Sequence, residues 1–136
     1  MQLTLIKNPD ETKLLEYKIA RILYAQTHAQ SLRLVEMMAS LVANNARVTG
    51  RDLYDVISDV NLFDVLRPES PDNKLISVDV INCGFQMCLR VVHRMLNGTL
   101  GDMCYGATCF HRSDVIPSWA TARGYIADID GFLFYL

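Results

Sequence analysis

Apolar residues recur at helical spacing in two successive stretches separated by a short polar break. Leu15, Ile19, Ile22 and Leu23 share one face before the break, and Leu34, Met38, Leu41 and Val42 share one after it. The spacing predicts a helix over about 9–25 and a second over about 32–46, stopping before Thr49-Gly50. Asn8-Pro9-Asp10-Glu11 reads as a helix start, with Asn8 as cap, Pro9 at the first helical position and Glu11 placed to answer the cap's own amide. Met1 to Ile6 reads as an edge strand or an arm laid across the body. Two such helices meet in a core, and Thr27 to Gln30 are then held at the lip of the pair, where a side chain is placed rigidly yet reaches solvent.

Thr49-Gly50-Arg51-Asp52 has capping-box spacing ahead of Leu53, Val56, Ile57 and Val60, which predicts a short third helix. Pro68, Ser70, Pro71, Asp72 and Asn73 mark the following stretch, about 61–74, as a loop. A long helix over about 78–96 follows, with Ile81, Phe85, Cys88, Val92 and Met95 on one face and Asn97-Gly98 as its stop. His93, on the Arg90 and Arg94 side, reads as a surface or half-buried structural histidine. The last forty or so residues are punctuated by Gly101, Gly106, Gly124 and Gly131 and predict strands at about 105–111, 124–129 and 132–136. Asp130-Gly131 is the strongest hairpin signal in the chain. The pattern as a whole is α+β: about four helices plus a small C-terminal antiparallel sheet, in one domain spanning 1–136.

Composition narrows the functional classes. A formal charge of −2 with 21% charged residues argues against a phosphate-tracking nucleic-acid binder. No apolar run approaches the roughly 18 residues of a membrane span, so no membrane span is expected. The N-terminus turns polar at Lys7 before a signal-type segment forms, so the sequence as given is read as cytoplasmic, reaching the cell wall or periplasm only by another route. Cys83, Cys88, Cys104 and Cys109 form two C-x4-C pairs. That separation turns two helical residues about 140° apart, too far to share a metal. No metal, no cofactor and four reduced thiols are expected.

Several segments, in order, carry a resemblance. Tyr24-Ala25-Gln26 with Ala29-Gln30, the helix closing in Asn44-Asn45, Phe63 with Asp72-Asn73, Leu96-Asn97-Gly98, Gly106-Ala107-Thr108-Cys109-Phe110-His111, Pro117-Ser118-Trp119-Ala120 and Ile129 to Tyr135 follow one another at characteristic spacing. Together they resemble the SleB-type cell-wall hydrolases, from about Tyr17 to Tyr135. The resemblance implies a lysozyme- or transglycosylase-like arrangement and peptidoglycan glycan strands as partner. It places the family's sole proton-transferring glutamate at Gln26, and substrate contacts at Tyr24, Gln30, Phe63, Thr108, Phe110, His111, Trp119 and Phe132. Five matched positions depart from the family: Gln26 and Gln30 for Glu, Leu66 for Trp, Cys109 for His and Phe132 for His.

Cleaving a β-1,4 glycosidic link requires protonating a poor leaving oxygen, usually from a half-buried glutamic acid of raised pKa. An amide has nearly the shape of a protonated carboxyl but transfers no proton at useful pH. The expectation is a cell-wall hydrolase homologue, weakly active or inactive. The alternative is a non-catalytic glycan-binding or cytoplasmic interaction protein that kept the fold. Plainer readings stand beside these: Gln26 and Gln30 as polar residues at a helix end, Trp119 as a core anchor, and Thr108 and His111 as satisfied strand residues. A thiol enzyme built on Cys109 and His111 lacks a third group to orient the pair, and Glu36 is a weak substitute acid.

Overall fold

The computed structural model describes residues 14–121 and 123–136. Helix α1 spans Leu15–Thr27, α2 Leu32–Thr49, α3 Leu53–Ile57 and α4 Cys83–Leu96, and strands β1 Cys109–Arg112, β2 Ala127–Ile129 and β3 Phe132–Tyr135 form one antiparallel sheet in the order β1-β3-β2. The fold is α+β, with the sheet built from the C-terminal third as the glycine punctuation predicts. The expected arm or strand at 1–6 and the cap at Asn8 lie outside the described residues.

α1 packs along α4, and α2 lies against both. The predicted faces of the first two helices are the buried ones: Ile19, Leu23, Leu34, Met38, Leu41 and Val42 are wholly buried. α1 ends because His28 and Ala29 both adopt left-handed backbone, at φ 55° and 51°. Residues bearing a Cβ hold that region at about 1–2 kcal/mol each, so local contacts must fix it. The Thr27 hydroxyl donates to the Leu23 carbonyl at 2.7 Å and accepts the Ala29 amide at 3.1 Å. The His28 amide closes on the Tyr24 carbonyl at 2.8 Å. Ser31 then caps α2 by accepting the Leu34 amide at 3.1 Å, and its hydroxyl donates to the Asp130 carboxylate at 2.6 Å. The helix turn is thereby tied to the β2–β3 turn.

The sheet meets the helices through Phe110, whose ring centroid lies 5.6 Å from that of Phe63, 5.9 Å from Phe132 and 6.2 Å from Phe134. Two asparagines near the end of α2 fasten the segment that leads into β1. Asn45 donates to the Thr108 carbonyl at 2.8 Å, and Asn44 to the Ala107 carbonyl at 3.2 Å. Asp130 and Gly131 make the hairpin turn with φ 51° and 86°, the two positive values of a type I′ turn.

Several expected bounds need correction: β2 starts at Ala127, not near 124, and α2 runs on through Thr49. α4 starts at Cys83, not near 78, because Asn82 takes the cap by accepting the Phe85 amide at 3.0 Å, which leaves Ile81 exposed ahead of the helix. Asp52, not Thr49, caps α3, since its carboxylate accepts the Asp55 amide at 2.9 Å while Thr49 ends α2; α3 stops at Ile57 and Val60 is exposed. β1 starts at Cys109, not near 105, because Tyr105 and Gly106 turn the chain with φ 57° and 82°.

Gly84 sits where α4 crosses the α1–α2 turn. A Cβ there would lie 3.0 Å from both the Ala29 methyl and the Tyr24 ring, and 3.2 Å from the Asn82 cap oxygen. Gly→Ala in a helix gains up to about 1 kcal/mol, whereas overpacking a tight contact costs about 1–3 kcal/mol. Gly84→Ala is therefore expected to lower stability by roughly 1 kcal/mol or more, read from the urea unfolding midpoint. A midpoint that rises would show that the crossing has room.

Candidate functional site

Gln26 occupies the last turn of α1, two residues before the left-handed pair, and shares the lining of two clefts with residues of β1. It is only 1% exposed, and neither its Oε1 nor its Nε2 has a hydrogen-bond partner among the described residues. Gln26 forms part of the floor of two neighbouring clefts. One, of about 160 Å³, is walled by Leu62, Phe110, His111, Arg112 and Trp119 with Asp64 at its edge. The other, of about 260 Å³, is walled by His28, Gln30, Arg112, Asp130 and Phe132. Arg112, like Gln26, belongs to both.

β1 supplies the wall by alternation. Phe110 and Arg112 pair with Phe134 and Phe132 across the sheet, on the face turned to the helices, while His111 projects to the other face. The guanidinium of Arg112 lies 6.0 Å from the Phe132 ring centroid, and its Nη2 donates to Asp72 at 2.6 Å. Its Nε is buried without a partner among the described residues. Asp72 also meets His28 Nε2 at 3.1 Å, so one carboxylate bridges the helix turn and β1. Burial pushes the Asp72 carboxyl up, but hydrogen bonds and charge from Arg112 and His28 outweigh it and hold the group below the usual carboxylate range.

His111 is buried in an aromatic box. Its ring centroid lies 5.3 Å from Tyr135 and 5.7 Å from Trp119, and Arg123 sits 5.4 Å above the Trp119 ring. Nδ1 is 2.6 Å from the Arg112 carbonyl and Nε2 is 2.8 Å from the Tyr135 hydroxyl. A carbonyl only accepts, so Nδ1 carries the proton and the hydroxyl donates to Nε2 in the neutral ring. Both nitrogens are occupied, which leaves His111 no free nitrogen to act as a base for Cys109. Burial, partly offset by Arg123, pushes the Cys109 thiol up, away from thiolate character. All four cysteines are free thiols, and burial pushes Cys88 and Cys104 up to about 12.

Of the positions expected from the sequence, the structure brings Gln26, Phe110, His111 and Trp119 to one cleft and Gln30 and Phe132 to its neighbour. Three lie elsewhere. Phe63 is wholly buried against Phe110 because the apolar core outcompetes any groove for its ring, and this corrects its expected place in a ligand groove. Tyr24 packs beside Gly84, and Thr108 is taken up by backbone bonds to Tyr135 and Asn45. Glu36 pairs with Arg94 at 2.8 Å and lines neither cleft, so it is not a substitute acid there. His93 is exposed and meets Glu16 at 3.0 Å, in keeping with a structural role. The residues that sequence reading passed over are Arg112, Asp72 as its partner, and the rim carboxylates Asp64, Asp114 and Asp130. Asp72 lies 40 residues from Arg112 in sequence and 44 from His28, so no local spacing announces the bridge.

In comparisons with known proteins, the chain matches no family model, and no curated protein or solved structure matches it at a significant level.

A buried amide without a partner loses hydrogen bonds that it makes with water when unfolded, at about 1–3 kcal/mol. Gln26→Met keeps volume and removes both polar atoms, so it should raise stability by about 1 kcal/mol in chemical denaturation. A comparable loss would mean that the amide is satisfied in the folded state. A second expectation concerns acid. The Asp72 pKa is lowered on folding, so its contribution to stability is complete above about pH 4 and is lost as pH falls through the lowered folded value. Asp72→Asn should therefore be less stable than the native protein at neutral pH, and the gap should close below about pH 4. A gap independent of pH would refute the charged bridge.

Proposed function

We propose that the protein is a divergent peptidoglycan-directed relative of the SleB-type cell-wall hydrolases, weakly active or inactive in cleaving glycan strands and able to hold them. The observation that carries this reading is the burial of Gln26, without a partner among the described residues, on the floor of a cleft walled by His111 and Trp119. A general acid in a glycosidase needs that kind of place, shielded from water and beside an aromatic face. With an amide there, the glycosidic oxygen is held but not protonated. Asp64, which lines the same cleft, is exposed to water and so lacks the shielded place that Gln26 has.

The rival reading, an interaction protein that kept the fold, draws on cavity size. The cleft beside Trp119 holds about 160 Å³, below the roughly 300 Å³ at which small-molecule sites begin. A more open and largely apolar cleft of about 680 Å³ runs along α4 between Met87, Val91 and Leu32. No helix among the described residues is long and apolar enough to cross a membrane.

The native protein should release little or no anhydro-muropeptide from purified sacculi. Gln26→Glu should raise that release by about a hundredfold or more, since general acid–base catalysis commonly contributes 10²–10⁴-fold. Glycan strands titrated against the native protein should give a saturable change in the fluorescence of Trp119, the only tryptophan. Rapid cleavage by the native protein would overturn the role given to Gln26, and a flat titration would transfer support to the interaction-protein reading.

A further inference from the structure

The cleft along α4, of about 680 Å³, shares no lining residue with the two clefts at Gln26. Its volume falls within the roughly 300–1,000 Å³ of small-molecule sites. Leu32, Met87, Leu89 and Val91 make its apolar lining, and no phenyl, phenol or indole ring of a described residue belongs to it. Aliphatic walls with a pliable thioether among them fit an alkyl chain and give a flat ring nothing to stack on. The charged lining is unbalanced. Arg94 is paired with Glu36 at 2.8 Å and His93 with Glu16 at 3.0 Å, whereas Arg90 is exposed and has no ion pair among the described residues. One positive charge is left over beside an apolar surface.

We propose that this cleft binds a free single-chain carboxylate, a fatty acid, with the alkyl chain along Leu32, Met87, Leu89 and Val91 and the carboxylate on the Arg90 guanidinium. Leu32 is 48% exposed, so a chain laid over it removes apolar surface from water, which supplies most of the affinity, while the exposed ion pair orients the ligand. Other occupants fit part of the lining only. A cationic amphiphile meets Arg90 and Arg94 with like charge, and a neutral one leaves Arg90 without a counter-charge. Glu16 disfavours a head bearing more than one negative charge. A partner protein needs more surface, since Met87 to Arg94 spans about 10 Å of α4, short of the roughly 20–30 residues a side of a stable interface. The site is independent of the glycan reading, and neither falls with the other.

Calorimetry with the full chain, below the micelle concentration of each probe, compares decanoate with hexanoate, decanol and decyltrimethylammonium. Decanoate should bind at least about tenfold more tightly than hexanoate, because each buried methylene adds to the transfer gain. It should bind at least about threefold more tightly than decyltrimethylammonium. Arg90→Gln should weaken decanoate by about threefold and leave decanol unchanged, and Leu32→Gln should weaken both. Spectra of the chain with carbon-13 methionine methyls locate the site, since the Met87 signal should move as decanoate saturates. Equal affinity for decanoate and decyltrimethylammonium, native-like decanoate binding by Arg90→Gln, or an unmoved Met87 signal overturns the proposal. So does absence of decanoate binding: co-sedimentation with phosphatidylglycerol vesicles would then point to a lipid surface, and a nuclear Overhauser contact from the Met87 methyl to a residue of 1–13 would point to that segment as the occupant.

Discussion

Two consecutive residues with left-handed backbone, His28 and Ala29, set the geometry on which the remainder depends. A single left-handed residue ends a helix and releases the chain outward, the usual role of a glycine. Two in succession, clamped by the Thr27 hydroxyl, turn the chain tightly enough for α2 to start at Leu32. That closeness carries Ser31 to Asp130 on the hairpin and brings His28 to Asp72. Backbone strain of this kind costs about 1–3 kcal/mol per residue and persists where surrounding contacts over-determine it. Here the contacts are the α4 crossing at Gly84 and the bridge through Asp72.

The electrostatics of the clefts follow from the same arrangement. Asp72 is the hub, receiving both His28 and Arg112, and its carboxylate stays charged because those two partners outweigh the cost of burial. Arg112 is thereby oriented by one end of its guanidinium while Nε faces inward unpaired. Buried polar groups in folded proteins nearly always find partners. Three exceptions among the described residues fall on Gln26 and Arg112, which line the same two clefts.

The helical pattern was legible because each of the first two helices buries a continuous apolar face, and the Asp130-Gly131 turn was legible because type I′ geometry demands its residue types. The start of α4 was not, since Val78 and Ile81 continue the apolar period while Asn82 ends up as the cap. Phe63 was misplaced because an aromatic residue in a proline-rich loop reads the same whether it faces a ligand or the core, and only the position of Phe110 decides. Gln26 was singled out from its neighbours in sequence. Its burial, and the role of Arg112, depend on a strand more than 80 residues away, which no window along the chain contains.

The contact between Ala29 and Gly84 has a consequence for how this chain can vary. Glycine at 29 would relax the backbone but give up the methyl that fills the crossing, and a larger residue at 29 would add bulk to a backbone conformation already under strain. At 84, the first added carbon already meets that methyl and the Tyr24 ring. The two sites, 55 positions apart, thus behave as a single volume-sharing unit. A mutational path that enlarges one is open only after the other has been reduced, so the order of substitutions, as well as their identity, is constrained.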